Sequence, residues 1–358
     1  MEITHKQLNE QIKICYETKT PLFVWGGVGI GKSEVVKQTA EEVAKALEQT
    51  LTEDMELIKI DAKNNFGFLD TRISQLEPSD LRGLPIQDIK SGTTKWLIPS
   101  WLPTDENSKG IIFFDELNLS PPSIQAVAYQ LILDRRIGDY VLPKGWVILS
   151  AGNRIEDKCS VFEMSSALSN RFIHSTLSTP TAEEWSEWAT NRGIVENVIS
   201  FANFKGSSFF GHNERNKDKA YPTPRSWAFC SKLIKGRTDK PLIQRLVASS
   251  VGEAMALEYT AFLKLQTKID LDSILKNPEQ IKNITEIDLK YVLIGTIAEK
   301  YQKDKKLLEK ILPATEFLEP EFAILLLRFL KAYHPKHFKD IMLKKGQKIL
   351  KQYAEILV

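Results

Sequence analysis

Gly26-Gly27-Val28-Gly29-Ile30-Gly31-Lys32-Ser33 sets backbone freedom, a lone cation and a hydroxyl side by side. Glycine opens backbone angles closed to other residues, so successive N–H groups can turn inward around an anion. In the pattern G-x-x-x-x-G-K-[ST], filled here by Gly26, Gly31, Lys32 and Ser33, those amides and the start of the next helix cradle a polyphosphate. The lysine then reaches the outer phosphates, and the serine hydroxyl can ligate a Mg²⁺ ion bridging them. Asp115 and Glu116 follow the apolar run Ile111-Ile112-Phe113-Phe114, which would deliver both carboxylates to the end of a buried strand. There Asp115 can hold the metal's shell, and Glu116 can orient and polarise a water. Asn153 ends the apolar run "VILSAGN", and its amide can reach a terminal phosphate from the side opposite Glu116. The chemistry expected is binding of a nucleoside triphosphate and phosphoryl transfer to water.

Such a site needs strands that end together and a helix that starts at the lysine. Leu22 to Trp25 reads as a strand, and Val35, Val36, Ala40, Val43, Ala44 and Leu47 recur at helical spacing from Ser33 onward. Further strands are expected over "ELIKIDA" (56–62), "GIIFFDE" (110–116), "WVILSAGN" (146–153) and "FIHSTLS" (172–178). Runs apolar on both faces suit a parallel sheet covered by helices, so the fold class expected is α/β. After Pro180 the strand-like runs cease and helical periods dominate, interrupted near 204–224, 235–241 and 276–280. The domains expected are a nucleotide-binding α/β domain over 1–180, a helical domain over 181–268 and a helical extension over 269–358.

Composition narrows the setting. With 358 residues, 42% hydrophobic, the chain can build two or three domains. Its 48 basic and 46 acidic residues leave a net charge of +2, so no global field draws it to nucleic acid. The N-terminal "MEITHKQLNEQIK" lacks the apolar core of a secretory signal, and "FAILLL" is stopped by Arg328, well short of the roughly 20 residues of a membrane span. A cytoplasmic location is expected. Cys15, Cys159 and Cys230 are odd in number and scattered, so all three are expected to be reduced and structural. His334 and His337 flank Pro335 without a nearby carboxylate or thiolate, so no metal is expected there. Trp185, Trp188 and Trp227 sit on helical patterns and are expected in a core. Lys331, Lys336, Lys339, Lys344, Lys345, Lys348 and Lys351 outnumber Asp340 and Glu355 at the C-terminal end, which suits a solvated helix face or contact with an acidic partner or nucleic acid.

In order, the glycine loop, acidic strand, Asn-tipped strand, "ALSNRF" and "TPRSW" resemble the AAA+ ATPases over about residues 22–265. That resemblance implies a P-loop three-layer α/β/α core with a small helical lid and a helical C-terminal extension, using ATP and Mg²⁺. It assigns Gly26, Gly27, Val28, Gly29, Ile30, Gly31, Lys32 and Ser33 to the nucleotide, Ser33 and Asp115 to the metal, and Glu116 to catalysis. Asn153 matches the sensor 1 position, Arg171 the arginine finger and Arg225 the sensor 2 arginine. A hairpin expected in "DRRIGDYVLPKGW", turning at Gly138-Asp139 or at Pro143-Lys144-Gly145, is similar to a pre-sensor 1 insertion. Residues 79–103 lie where one clade inserts a hairpin into its second helix. Together these resemble the MoxR-like branch, with "AGNR" nearer the dynein-related and gas-vesicle-associated relatives.

The branch implies a homo-oligomeric, hexameric ring that remodels a client protein carrying a von Willebrand factor A domain, with Arg171 reaching the neighbour's nucleotide. Arg72 and Arg154 are further candidates for interface roles. An alternative is a nucleic-acid motor or restriction-type NTPase that tracks a strand with Arg135, Arg136, Tyr140, Lys144 and Trp146. A scaffold that binds nucleotide without turnover is a third reading, against which Glu116 and Arg171 both speak.

Overall fold

The computed structural model of the chain describes residues 2–90, 92–154, 162, 164–211, 219–346, 349 and 353. They form two compact units, Met1–Thr179 and Pro180–Val358. In the first, a parallel sheet carries β1 (Glu2–Ile3), β2 (Leu22–Trp25), β3 (Thr50–Thr52) and β4 (Asn65–Arg72). The antiparallel hairpin of β5 (Leu84–Asp88) and β6 (Thr93–Leu97) precedes β7 (Lys109–Asp115), and that of β8 (Arg136–Ile137) and β9 (Tyr140–Val141) precedes β10 (Gly145–Gly152). With β11 (Ile173–Leu177) the seven-stranded sheet runs β1-β11-β2-β10-β7-β4-β3.

Period-two alternation explains both covered faces. Leu22, Val24, Phe66, Phe68, Ile111, Phe113, Val147 and Leu149 point to one core with α1 (His5–Thr18) and α2 (Lys32–Ala46). Phe23, Leu69, Ile112, Phe114, Trp146 and Ile148 share a second core with Ile58 of α3 (Met55–Ile60), Leu81 of α4 (Pro78–Arg82), and Ile124, Ala128 and Leu131 of α5 (Pro122–Asp134). The short α6 (Ser166–Ser169) follows β10. The unit is thus a three-layer α/β/α sandwich. All strands of the sheet pair in parallel, with Trp25 beside Gly152 and Asp115 beside Arg72, so β2, β7 and β10 end on one edge. Open α/β sheets bind ligands at that carboxyl edge.

One expected strand is corrected. Residues 56–60 of "ELIKIDA" fold in α3, because the Asp54 side chain caps it by accepting from the Glu56 N–H at 2.9 Å, and Lys59 pairs with Glu56 at i, i+3. Ile58 is 1% exposed and Ile60 79%, so the run buries only Ile58 and Ala62, four residues apart, rather than an alternating face. The strand of that region is β4, "NFGFLDTR". Its Gly67 is required by tertiary packing: a Cβ there would stand 2.2 Å from Cη2 of Trp146.

The cysteines described, Cys15 and Cys230, are buried thiols, and burial pushes them up to about 11 and about 12. Cys159 and His212 lie outside the described residues. Lys19 ends α1 in the left-handed region (φ 57°), with Nζ 3.5 Å from the Tyr16 ring centroid and donating to Gly145 O at 3.3 Å. Burial, then repulsion from Arg135 and Lys109, lowers its pKa to about 8. An unfolded lysine holds its proton to about pH 10.4, so from about pH 8 to 10 the unfolded chain binds more protons and this group's contribution to stability rises with pH. The melting temperature of the parent minus that of Lys19→Met should therefore increase from about pH 7 to about pH 10. A difference that stays level, followed by calorimetry, would contradict this linkage.

The second unit is helical in its described residues. One core joins Trp185, Phe201, Trp227 and Tyr259 to Val292, Ile297, Leu326 and Phe329, so helices on both sides of residue 268 bury side chains together. Trp227 stacks on Phe209 with ring centroids 4.7 Å apart, and Trp188 packs from the edge. Among the described residues no helix is long and apolar enough to cross a membrane.

Candidate active site

Strand β2 hands the chain directly to the glycine loop. Gly29 (φ 76°) and Gly31 (φ 103°) take left-handed angles that a side chain would strain, and a Cβ on Gly26 would meet Ile30 Cδ1 at 2.6 Å. Gly31 is the N-cap of α2, so Lys32 and Ser33 occupy its first turn, where amide N–H groups lack helical partners and the dipole is positive. Val28 is exposed at the crown of the loop and Ile30 is buried beneath it. His5, at the start of α1, meets Ile30 O through Nε2 at 2.8 Å and ties the crown to the helix layer.

Lys32 is only 9% exposed. Its Nζ donates to Gly26 O (2.7 Å), Gly27 O (2.9 Å) and Asn153 Oδ1 (2.9 Å), so three neutral oxygens share the ammonium. Asn153 comes from the end of β10, 121 residues away in sequence, and is itself buried. Its carbonyl accepts from Asn118 Nδ2 at 2.8 Å, which locks the tip of β10 to the turn after β7.

At the end of β7, Asp115 Oδ2 accepts from Ser33 Oγ at 2.8 Å and Oδ1 accepts from the Glu116 N–H at 3.0 Å. Both carboxylate oxygens are thereby aimed. Glu116 itself is left-handed (φ 58°, ψ 34°), a conformation that costs a non-glycine residue about 1 kcal/mol and turns the chain sharply off the strand. Asp70 on β4 adds a third carboxylate, and burial first, then the Asp115 charge, raises its pKa above the ordinary value. Hard oxygen donors of hydroxyl and carboxylate type, set side by side amid mutually repelling acids, match the preference of Mg²⁺. Ser33 and Asp115 fit such an ion.

The residues singled out in the sequence fall into separate groups. Lys32, Ser33, Asp115 and Asn153 meet through hydrogen bonds, and Glu116 adjoins them. Arg171 lies elsewhere in the same unit, its guanidinium 3.6 Å from the Tyr129 ring centroid and Nη1 donating to Ala167 O at 2.8 Å. Its Nε is buried with no hydrogen-bond partner among the described residues. Arg154 pairs with Glu2 at 3.5 Å, and Arg72 stands beside Asp115 in the β4–β7 register. Arg225 is an exposed residue of the second unit, in the first turn of helix Pro224–Ile234, whose N-cap Thr223 accepts from the Ser226 N–H at 3.0 Å.

Sequence reasoning missed His5, Asp70, Asn118 and Tyr129. Asp70 was hidden with its strand, whereas Asn118 stood in plain view three residues after Asp115. His5 and Tyr129 carried no local signal, since their partners are distant in sequence.

No family model matches the chain, and no curated protein matches it. Solved structures to which it is similar include a protein of Cytophaga hutchinsonii ATCC 33406 described as an ATPase, 14% identical over 90% of this chain and 79% of that one, with a TM-score of 0.37. NtrX from Brucella abortus is 13% identical over 87% of this chain and 68% of its own, with a TM-score of 0.38. A point mutant of Thermotoga maritima RuvB is 14% identical over 87% of both chains, with a TM-score of 0.38. Likeness at these values is too low to bear on function, so the chemistry of the site rests on its own geometry.

Proposed function

We propose that this chain is a Mg²⁺-dependent ATPase of the AAA+ kind and MoxR-like branch, which works as a head-to-tail ring, hexameric by that resemblance, to remodel a partner protein. The observation that carries the nucleotide-site reading is the 2.8 Å contact of Ser33 Oγ with Asp115 Oδ2, one residue along the chain from the buried Lys32. Few other functions call for a cation, a hydroxyl and a carboxylate at the mouth of a glycine loop.

In this reading the loop amides and the first turn of α2 bind the phosphates, and Lys32 exchanges its carbonyl partners for phosphate oxygens. Asn153, released from Lys32, faces the terminal phosphate. A bound Mg²⁺ would supply charge neutralisation across the outer phosphates. Glu116 orients a water whose oxygen bonds to the terminal phosphorus while the bond to the bridging oxygen breaks, giving ADP and inorganic phosphate. The proton of that water passes to Glu116. Arg171 stabilises charge on the neighbouring subunit's phosphate, and Arg225 acts as the sensor 2 arginine on the lid. The client expected by the same resemblance carries a von Willebrand factor A domain.

Subunit mixing tests the composite site. Arg171→Ala and Glu116→Gln assemblies should each be inactive alone, because every interface lacks one group. In head-to-tail rings mixed one to one, roughly a quarter of interfaces pair an intact Glu116 with an intact Arg171, so phosphate release should reappear. Rings shown by fluorescence transfer to exchange subunits, yet as inactive as either parent, would overturn the trans assignment.

A further inference from the structure

We propose that His174 is a positioning residue that fastens the turn bearing Arg171 to the strand leading into the phosphate loop. Its protonation pattern follows from its partners. Trp25 Nε1–H can only donate, and it meets His174 Nδ1 at 3.0 Å, so Nδ1 is the acceptor and the ring proton sits on Nε2. That Nε2–H donates to Ser169 O at 2.8 Å, with Ser169 Oγ 3.2 Å away. One neutral tautomer thus spans two anchors.

Each anchor matters to the site. Trp25 is the last residue of β2, directly before Gly26. Ser169 is the last residue of α6, and its carbonyl also accepts from the Phe172 N–H at 3.2 Å, closing the turn that contains Arg171. His174 is exposed, so its value lies in these two directional bonds rather than in filling a core. The rings beside it reinforce the link: Trp25 and His174 lie nearly coplanar, centroids 6.1 Å apart and planes 23° apart, as their hydrogen bond requires, and the Phe23 ring centroid lies 4.3 Å from that of Trp25 and 5.5 Å from that of Phe172. A shift of the loop that moves Trp25 is therefore handed to the Arg171 turn of the same subunit. The phosphate loop of one subunit sets the aim of the arginine it offers to the next. This inference rests on the finger reading of Arg171 given above.

The test is steady-state ATPase of the full chain with His174→Phe, which keeps a ring but loses both bonds, and His174→Gln, which can accept from the indole and donate to the carbonyl. Trp25→Phe removes the indole N–H while keeping an aromatic ring, and Arg171→Ala reports the finger itself. The kcat of His174→Phe should fall about ten-fold with KM for ATP within about two-fold of the parent, since only transition-state aim is lost. Trp25→Phe should follow it, and His174→Gln should recover most of the kcat. A parental kcat in His174→Phe, with Arg171→Ala inactive, overturns the inference and leaves the finger reading standing. Failure of glutamine to restore kcat overturns it equally. Parental turnover in Arg171→Ala defeats the finger reading, and the inference falls with it.

Discussion

Replacing Glu116 by glutamine should leave Mg-ATP binding close to that of the parent while lowering turnover about a thousand-fold. Asp115 is aimed by the Ser33 hydroxyl and by the Glu116 backbone N–H, and both bonds survive the substitution because neither uses the Glu116 side chain. The left-handed backbone at residue 116 also carries over, since glutamine and glutamate have the same shape. What is lost is a basic oxygen able to take the proton of the attacking water. Phosphate release measured beside equilibrium ATP binding separates the two effects. Turnover within about ten-fold of the parent would move the proton-accepting role to another residue, Asp70 being the carboxylate nearest in chemistry.

Lys32→Ala acts earlier, on binding. The ammonium is held between Gly26 O, Gly27 O and Asn153 Oδ1, so the loop presents a positive charge that has been taken out of water before any phosphate arrives. Hydrogen bonds to charged groups contribute about 1.5–3 kcal/mol each, and two of them to phosphate oxygens correspond to an affinity loss of about 100-fold or more. The fold should persist, because the strands on either side of the loop are fixed by their own buried runs, Leu22, Phe23 and Val24 in β2 and Leu149 and Ala151 in β10. Circular dichroism and melting temperature near those of the parent would establish that the loss is local.

The glycine loop and the acidic strand end were legible because their chemistry is written in contiguous residues. Four apolar residues ahead of Asp115 announce a buried strand, and the order of strands in a parallel sheet then brings Ser33 and Asp115 together across 82 positions. The helix in "ELIKIDA" was not legible, since Asp54 outside the run caps it and Ile58 is the one residue that the helix buries. Strand β4 was hidden for a related reason: Gly67 looks like a breaker until Trp146, far along the chain, is seen lying across it. The stacking of Arg171 on Tyr129 and the bond between Trp25 and His174, 149 residues apart, depend on side-chain directions that no local pattern encodes. The C-terminal helices divide similarly: periodicity shows that they are helices, but only the packing shows that one core runs through both sides of residue 268.

The most direct measurement is calorimetric titration of Mg-ATP into the purified chain and into Lys32→Ala under identical conditions. The parent should bind saturably at one site per chain, and the variant should bind at least about 100-fold more weakly while remaining folded. A parent that takes up no ATP, or a folded Lys32→Ala that binds it as tightly as the parent does, would contradict the assignment of the glycine loop as a nucleotide site.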